Sequence, residues 1–313
     1  MWEGCWVLLT GATGFIGSHL LARLLDAGAR VGVLVRPGRE ADMAGCRVCI
    51  ADLTDAAAVR RAVEDIRPEV VFHLAAAGVT DPFLPVETAL RVNLWGTLNL
   101  LHALEGTARV VVARTPGEPL ALNVYSASKA AAWVFCRMYH RTRGWPIVGV
   151  MPFQVYGPGQ PERSLIPAAI IAALQGRDFP IHPGEQVRDW VYVNDVVEGF
   201  LRAGLSSIGE GETFQLGTGR GHSVAQVVKM IFALVGGPGK PLVGALPYRP
   251  GEVMEQVADP SLAQEVLGWE PQVALEEGLR RTIAWFADRD NLPKLNGCAT
   301  MILPPFDKKG ETR

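Results

Sequence analysis

The sequence predicts an α/β fold, a doubly wound parallel sheet with a smaller, mostly C-terminal lobe. In the first half of the 313-residue chain, short apolar runs rich in β-branched residues alternate with longer helical patterns. The runs are apolar throughout, as in strands buried on both faces of a parallel sheet. Short links between runs and helices imply right-handed β–α–β units.

The strands are predicted where the apolar runs occur. They are Trp6–Leu9, Arg30–Val35, Arg47–Ile50, Val70–Leu74, Arg109–Ala113 and Ile147–Met151, with a return to the sheet at Thr213–Leu216. The apolar residues of the first helix recur at helical spacing and form one stripe, and Gly28 ends the helix. The stripe consists of Ile16, Leu20, Leu21, Leu24 and Leu25. Further helical patterns fill Asp55–Ile66, Val86–Leu104 and Ser126–Thr142.

After Pro152 the pattern changes, because proline and glycine become frequent and the segments irregular. We therefore expect a second lobe at the carboxyl ends of the strands, where sheets of this kind bind ligands. The predicted boundaries are 1–155 with 190–240 for the sheet domain, 156–189 with 241–287 for the lobe, and 288–313 for an irregular tail.

Composition and charge argue against several classes of protein. The chain is 49% hydrophobic and 20% charged, with a formal net charge of -2, so neither nucleic acid nor a membrane is expected as a partner. No apolar run reaches the ~18 residues that span a bilayer. The five cysteines lack regular spacing, which fits a cytoplasmic protein. No metal site is expected, because the pair Cys46 and Cys49 has no further ligands at zinc spacing.

The stretch TGATGFIG, residues 10–17, lies between the first strand and the first helix. Its three glycines, at a spacing of three, allow a tight turn and a close approach to a pyrophosphate. The helix N-terminus adds unpaired N–H groups and a partial positive charge. The stretch therefore predicts a Rossmann-type dinucleotide site, made by Gly11, Thr13, Gly14, Phe15, Ile16 and Gly17.

The type of dinucleotide is indicated by the end of the second strand. Arg36 stands there, with Arg39 close behind, about where an NAD site usually carries an acidic residue. An arginine suits a 2′-phosphate, so NADP is favoured over NAD. The other residues predicted to line the cofactor follow the next two strands: Asp52, Leu53, Ala75 and Ala76.

Tyr125 and Lys129, in the motif YSASK, lie four residues apart and thus on one face of a helix. A nearby cation stabilises a phenolate and lowers the tyrosine pKa, as a tyrosine acid/base requires. The lysine can also hold a ribose. His73, at the end of the fourth strand, is interpreted as a packed and hydrogen-bonded residue rather than a catalytic one.

Together these motifs resemble the extended short-chain dehydrogenase/reductase family, specifically its nucleotide-sugar epimerase/dehydratase group. The resemblance covers roughly residues 5–287 and rests on TGATGFIG, HLAAAG, Asn93 in VNLWGTLNLL, YSASK, RDWVYVNDVV and YRPGE, in the family's order. It implies that Tyr125 is the catalytic acid/base and that Lys129 binds the nicotinamide ribose. It also implies a homodimer formed by the helices around Val92–Leu104 and Ala130–Tyr139.

The resemblance further assigns a nucleoside diphosphate sugar as the substrate. Arg188, and the pair Arg249 and Glu252, match positions at which family members bind that ligand. Two arginine forks suit the oxygens of a diphosphate. Gln154 stands beside the substrate where the family commonly has Asn, and Met151 replaces a frequent Arg.

The loop before Tyr125 departs from the family. Family members carry a strand-end Ser or Thr, followed by a VYG-like loop; here Thr115 lies only ten residues before Tyr125 and that loop is missing. Two explanations fit: a genuinely short loop that leaves the sugar site more open, or a sequence that lacks a segment. Thr115 is the third catalytic candidate. The resemblance also implies that a dehydratase would carry an acidic pair just after this Ser or Thr; Arg114-Thr115-Pro116 offers none, so dehydration is disfavoured.

The leading hypothesis is an NAD(P)-dependent nucleotide-sugar epimerase with transient hydride transfer at the sugar C4. The alternative is an NADPH-dependent reductase of a 4-keto nucleotide sugar, which Arg36 favours. An alternative from another class is a catalytically inactive, NADP-sensing or partner-binding protein. The presence of both Tyr125 and Lys129 argues against that class.

Overall fold

The computed structural model describes residues 2–38, 43–79, 81, 83–249 and 251–288, so Arg39 and the chain after residue 288 lie outside it. Its strands are β1 (Trp6–Thr10), β2 (Arg30–Val35), β3 (Cys46–Ile50), β4 (Val70–His73), β5 (Arg109–Ala113), β6 (Ile147–Pro152), β7 (Gln154–Tyr156), β8 (Phe179–Ile181), β9 (Val187–Tyr192), β10 (Thr213–Leu216), β11 (Gly221–Ser223), β12 (Pro241–Val243) and β13 (Glu255–Gln256). Its helices are α1 (Phe15–Asp26), α2 (Ala56–Ile66), α3 (Val86–Ala89), α4 (Gly96–Leu104), α5 (Val124–Arg143), α6 (Leu165–Leu174), α7 (Val193–Leu205), α8 (Val224–Val235), α9 (Ser261–Leu267) and α10 (Leu275–Ala287), with a π-helical stretch at Leu90–Trp95.

Seven parallel strands form the main sheet, in the order β10–β6–β5–β4–β1–β2–β3. This confirms the predicted fold class and the predicted strands, whose ends shift by one residue at most. The chain proceeds from β1 to β2 and β3 on one side, then returns to β4 on the other. The carboxyl ends of β1 and β4 therefore flank the switch point, where ligands bind in doubly wound sheets.

Helices cover both faces of this sheet because its strands are apolar on both sides. Neighbouring residues of a strand point to opposite faces. Leu9 belongs to the core under α1, α7 and α9, whereas Leu8 belongs to the core under α2, α4 and α5, and both are fully buried. The helical stripe predicted after β1 supplies Leu20 and Leu24 to the first of these cores.

The second lobe has a core of its own. Strand β9 pairs with β7, β11 and β13, and β8 pairs with β12. Helices α6, α8 and α10 pack against these strands around Tyr156, Ile170, Trp190, Ile231 and Phe286. The boundaries drawn from the sequence stay a prediction, but α8 falls on the sheet side of them while packing in the lobe. It does so because it starts directly after β11, which pairs with β9.

Three features of the described residues bear on partners and cofactors. Within the described ranges, no helix has the length and apolar character to cross a membrane. No group of three or more His, Cys, Asp or Glu side chains in that part of the chain could hold a metal ion. Cys5, Cys46, Cys49 and Cys136 are free thiols.

Candidate active site

The glycine turn between β1 and α1 lies at the switch point of the sheet. Gly11 has a φ of 79°, and a Cβ on it would lie 2.7 Å from the backbone nitrogen of Ala75, just after β4. A side chain on Gly17 would collide with the carbonyl oxygen of Gly11. Helix α1 follows Gly14 with no side-chain cap and no acidic residue in its first turn, which opens with Phe15. Its N–H groups are therefore suited to a pyrophosphate.

Two arginines act on the carboxylate of Asp52, which follows β3: Arg36, directly after β2, and Arg91, in the π-helical stretch. Oδ1 of Asp52 accepts hydrogen bonds from the Thr54 nitrogen at 2.8 Å and from its hydroxyl at 2.7 Å. Burial would raise the pKa of Asp52, but these hydrogen bonds and the charges of Arg36 and Arg91 outweigh it and lower the pKa. Arg36 itself is exposed. The site thus holds a second arginine, Arg91, that the sequence analysis missed.

Leu53 and the small residues after β4 have packing roles beside this site. The Leu53 side chain is buried against Gly96, and its carbonyl oxygen accepts a hydrogen bond from Nδ2 of Asn99 at 2.8 Å. The nitrogen of Ala75 donates to the hydroxyl of Thr10 at 3.2 Å. The first contacts attach the segment after β3 to α4, and the last joins the segment after β4 to the start of the glycine turn. The roles of Leu53, Ala75 and Ala76 toward a cofactor stay predictions.

Tyr125 and Lys129 lie in the first two turns of α5. The helix begins after Asn123, whose Oδ1 accepts a hydrogen bond from the Ser126 nitrogen at 2.9 Å. Lys129 is only 2% exposed, and Tyr125 is partly buried against Gly78, in the segment after β4. The helix therefore brings both side chains to the carboxyl edge of the sheet, beside the glycine turn.

The electrostatics of this pair differ from the sequence expectation. Burial and the charge of Glu118 raise the pKa of Tyr125 to about 12. Burial lowers the pKa of Lys129, and Glu118 acts in the opposite direction. The spacing of the two residues predicts that the lysine lowers the tyrosine pKa, but it gives no sign of the Glu118 carboxylate in the preceding loop. With a pKa of about 12, Tyr125 keeps its proton at neutral pH and can act as an acid.

Thr115 stands at the end of β5, as predicted, and begins a compact loop. Its nitrogen donates to Oε1 of Glu118 at 2.9 Å, and its hydroxyl accepts from the Gly117 nitrogen at 3.5 Å. The loop closes through successive turns, with the Glu118 nitrogen bonded to the Thr115 carbonyl at 3.1 Å and the Ala121 nitrogen bonded to the Glu118 carbonyl at 3.1 Å. The ten-residue spacing is therefore sufficient to connect β5 to α5.

A buried polar chain centred on His73 joins the glycine turn to the helical segment after β4. The imidazole lies 2.8 Å from the hydroxyl of Thr10 through Nδ1 and 2.9 Å from that of Thr97 through Nε2. Thr97 donates its own proton to the Asn93 carbonyl at 2.6 Å, so it accepts from Nε2–H, and Nδ1 accepts from Thr10. Burial, followed by the charge of Lys129, lowers the pKa of His73 to about 3. The prediction of a packed, hydrogen-bonded histidine is confirmed.

Asn93 extends this connection to α5. Its Nδ2 donates to the Ala77 carbonyl and to the Ser128 hydroxyl, both at 2.9 Å, and its Oδ1 accepts from the Ala77 nitrogen at 2.7 Å. The Ser128 hydroxyl in turn donates to the Tyr125 carbonyl at 2.8 Å. The segment after β4 is thereby tied to the helical turn that carries Tyr125.

In the second lobe the structure brings together the predicted substrate residues Arg188 and Glu252. Nη2 of Arg188 donates to Oε1 of Glu252 at 2.6 Å, and Nη1 donates to the Val187 carbonyl at 2.9 Å. Their side chains are 13% and 20% exposed. Burial lowers the pKa of Arg188 and Glu252 acts against this, so the guanidinium stays charged.

Arg249 and Gln154 lie near the Arg188–Glu252 pair. The pKa of His182 is lowered, mainly by burial. Glu252 acts against this, while Arg249 and Arg188 add to it, so all three charged side chains lie near His182. Gln154 is exposed on β7, where it pairs in register with Trp190 of β9, two residues from Arg188. His182 was not predicted, and its position one residue after β8 gives no signal in the sequence.

Comparisons with known proteins, by sequence and by structure, point to the same family. A sequence model of the NAD dependent epimerase/dehydratase family matches residues 7–217. The chain is 35% identical to the UDP-glucose 4-epimerase of Mycolicibacterium smegmatis, over 90% of this chain and 98% of that protein. The crystal structure of Thermotoga maritima UDP-glucose 4-epimerase with UDP-glucose is similar at a TM-score of 0.81 and 29% identity, covering 90% of this chain and 98% of that one. Thermus thermophilus UDP-glucose 4-epimerase in complex with NAD gives a TM-score of 0.79 at 31% identity, covering 90% and 99%.

Proposed function

Since this chain belongs to the NAD dependent epimerase/dehydratase family, we propose that it is a nucleotide-sugar 4-epimerase that uses an NAD(P) cofactor. The observation that carries the proposal is the pairing of Tyr125 with the buried Lys129 on α5, at the sheet edge that also holds the glycine turn. The relatives named above are UDP-glucose 4-epimerases, which makes a UDP-hexose the first substrate to test.

The cofactor would be held by the glycine turn and by Lys129. The uncapped N-terminus of α1 and the close backbone approach at Gly11 fit a pyrophosphate. When bound, NAD(P) supplies the acceptor that takes a hydride from the sugar C4 and returns it to the opposite face of the ring. Lys129 would hold the nicotinamide ribose.

Tyr125 would move the proton of the reaction. Its phenol oxygen takes the proton of the C4 hydroxyl during oxidation and returns it during reduction. Burial and Glu118 hold the pKa of Tyr125 at about 12, so a positive charge must offset them before the phenolate forms. Lys129, one helical turn away, supplies such a charge. Thr115 would donate a hydrogen bond to the C4 oxygen.

The nucleotide end of the substrate would lie against the second lobe. Arg188 and Arg249 would contact the diphosphate oxygens, and Glu252 would hold the Arg188 fork in place. The support for this is the buried 2.6 Å contact between Arg188 and Glu252. Gln154, on the neighbouring strand β7, would contact the sugar.

We further propose that the protein prefers NADP to NAD. Arg36 and Arg91 both act on Asp52, so two guanidinium groups lie near the ends of β2 and β3. Replacement Arg36→Ala is expected to weaken NADP binding about tenfold and to leave NAD binding nearly unchanged, since only NADP carries the 2′-phosphate. Calorimetric titration with both dinucleotides tests this, and equal losses for both would contradict it.

A net reductase of a 4-keto nucleotide sugar is the second candidate, favoured by the same arginine. The two reactions separate when purified protein is incubated with UDP-, dTDP-, CDP- and GDP-hexoses without added cofactor. An epimerase that retains its cofactor converts one hexose under these conditions, whereas a net reductase requires NADPH from solution and a 4-keto substrate, and so converts none. Dehydration is disfavoured because both oxygens of Glu118 already accept hydrogen bonds, from Arg114 and from Thr115.

The replacement Tyr125→Phe tests the acid/base role directly. It removes one oxygen from a partly buried side chain, so turnover should fall by at least about 1,000-fold while NAD(P) affinity stays within about twofold. Turnover that survives this change on the converted hexose would refute the mechanism. An inactive wild type that still binds NAD(P) would instead favour the sensing or partner-binding alternative.

A cytoplasmic homodimer is the proposed state of the protein. The free thiols of Cys5, Cys46, Cys49 and Cys136 support a reducing compartment. The exposed apolar side chains Trp95, Val134 and Phe135 support an interface formed by the π-helical stretch and α5. Sedimentation of the wild type and of a Phe135→Glu variant tests the dimer, which should become monomeric in the variant.

A further inference from the structure

The loop from Arg114 to Asn123 is held by a buried ion pair, which we name the Arg114–Glu118 clamp. Oε2 of Glu118 accepts from Nε of Arg114 at 2.8 Å and from Nη2 at 2.5 Å. The side chains of Arg114 and Glu118 are 13% and 1% exposed. The second oxygen, Oε1, accepts from the Thr115 nitrogen at 2.9 Å. One carboxylate thus binds both the arginine and the backbone of the predicted catalytic threonine.

The Arg114 side chain of the clamp packs between Thr213, Trp133 and Gly149. Nη1 of Arg114 donates to the Thr213 hydroxyl at 2.5 Å, and its guanidinium lies 4.6 Å from the Trp133 ring centre. Gly149 on β6 is the neighbour that permits this, because a Cβ there would lie 2.8 Å from Cδ of Arg114 and 2.9 Å from the Trp133 ring. Contacts with β10, α5 and β6 therefore fix the Arg114 side chain, and the fixed guanidinium binds Glu118.

The other end of the loop packs on the catalytic helix. A Cβ on Gly117 would lie 3.3 Å from Cβ of Ser126 and would collide with its hydroxyl, so the loop touches the first turn of α5. The Leu122 nitrogen donates to the Gly117 carbonyl at 3.3 Å. The clamp and this contact together span the distance from the end of β5 to Tyr125.

We propose that Glu118 is a positioning residue that fixes Thr115 opposite Tyr125 by accepting the Thr115 N–H. The inference rests on the proposed function, in which the Thr115 hydroxyl bonds the C4 oxygen. The Glu118 carboxylate is almost fully buried, so its contact with the Thr115 N–H fixes the backbone that carries the threonine hydroxyl. The hydroxyl of Thr115 is then in place before the sugar binds. This placement raises kcat and leaves the affinity for the substrate nearly unchanged.

Two double variants isolate this role. Arg114→Met/Glu118→Gln removes the ion pair but keeps a carbonyl acceptor for the Thr115 N–H; Arg114→Met/Glu118→Met removes the ion pair and the acceptor. Both lose the same charges, so a difference between them cannot come from the charge near Tyr125 or from an unpaired buried ion. We expect kcat of the Glu118→Met double variant to be about 10- to 100-fold below that of its Glu118→Gln partner, with KM within about twofold.

The Thr115→Val background shows whether the effect acts through the threonine hydroxyl. In that background the exchange of Gln for Met at position 118 should change kcat by less than about twofold, because the positioned group is gone. A purely structural role of Glu118 would lower kcat by the same factor in both backgrounds. Equal kcat for the two double variants, or an undiminished effect in Thr115→Val, would overturn the inference.

Hydrogen exchange of the 114–123 segment provides a readout that does not need turnover. Exchange should be faster in the Glu118→Met double variant than in the Glu118→Gln one, since the Thr115 N–H loses its acceptor. An inactive wild type would refute the proposed function, and equal exchange in the two variants would then refute the positioning role of Glu118 as well. An active wild type with equal variants would refute this inference alone.

Discussion

Two connections at the carboxyl edge of the sheet reach their geometry by different means. The turn after β1 depends on absent side chains, since Gly11 and Gly17 lie too close to neighbouring backbone for a Cβ. The loop after β5 depends on side-chain charges, through Arg114 and Glu118. The glycine turn should therefore tolerate no added side-chain atom, whereas the loop after β5 should tolerate the exchange of both charged partners together.

The largest effect is expected for Gly11→Ala. The added Cβ would meet backbone at 2.7 Å in a left-handed conformation, so we expect a loss of about 4 kcal/mol in unfolding free energy, together with loss of NAD(P) binding. Gly4→Ala is the matched control, because Gly4 has a φ of 73° but no neighbour within 4 Å. It should cost only about 1 kcal/mol. Equal costs in urea unfolding would show that backbone approach does not govern the turn.

The next largest effect is expected in the loop from Arg114 to Asn123. Arg114→Met leaves the buried Glu118 carboxylate unpaired and should cost about 3 kcal/mol of unfolding free energy. The double variant Arg114→Met/Glu118→Gln has no unpaired charge and should lie within about 1 kcal/mol of the wild type. If the double variant is as unstable as the single one, the cost comes from the lost contacts of Arg114 and not from an unpaired Glu118 carboxylate.

An intermediate effect follows from His73, which connects the glycine turn to the helical segment before the loop. Its pKa is about 3 in the folded protein against an ordinary 6.5, so the unfolded chain binds the proton first as pH falls. Stability from this group is therefore present above pH 6.5 and is lost toward pH 3. Between pH 7 and pH 5 the loss should be about 2 kcal/mol. His73→Gln should remove that part of the slope in urea unfolding, and an unchanged slope would contradict the assignment.

The smallest effect tests backbone strain within the charged loop. Ala121 has a φ of 46°, a region that costs an alanine about 1 kcal/mol and a glycine little. After the entropy cost of glycine, Ala121→Gly should stabilise the protein by about 0.5 kcal/mol. Ala127→Gly, on the exposed face of α5, should instead destabilise it by about 1 kcal/mol. Calorimetric melting of both variants checks the opposite signs.

The same contrast explains what the sequence could predict. Strands such as β5 are recognisable because Val110, Val111 and Val112 are buried on both faces of the sheet. The pairing of Tyr125 with Lys129 follows from helical spacing alone. The glycine turn is predictable because its geometry admits one residue type. All three depend on local patterns.

Features that depend on how the chain closes do not follow from local sequence patterns. The spacing of Arg114 and Glu118 suits an ion pair, but only the folded loop brings that carboxylate near Tyr125, where burial and then the Glu118 charge raise the tyrosine pKa. Arg91, in the π-helical stretch after α3, acts on Asp52 across the fold. Helix α8 packs in the lobe because β11 pairs with β9. Each depends on a tertiary contact.

The central claim is transient hydride transfer at C4, with Tyr125 as the proton carrier. It is tested most directly with the UDP-hexose that the protein converts, carrying deuterium at C4, in ordinary water. The hydrogen leaves C4 and returns to it without exchanging with solvent, so the account predicts that the C4 epimer retains the deuterium. Loss of the label to solvent, seen by mass spectrometry of the product, would contradict it.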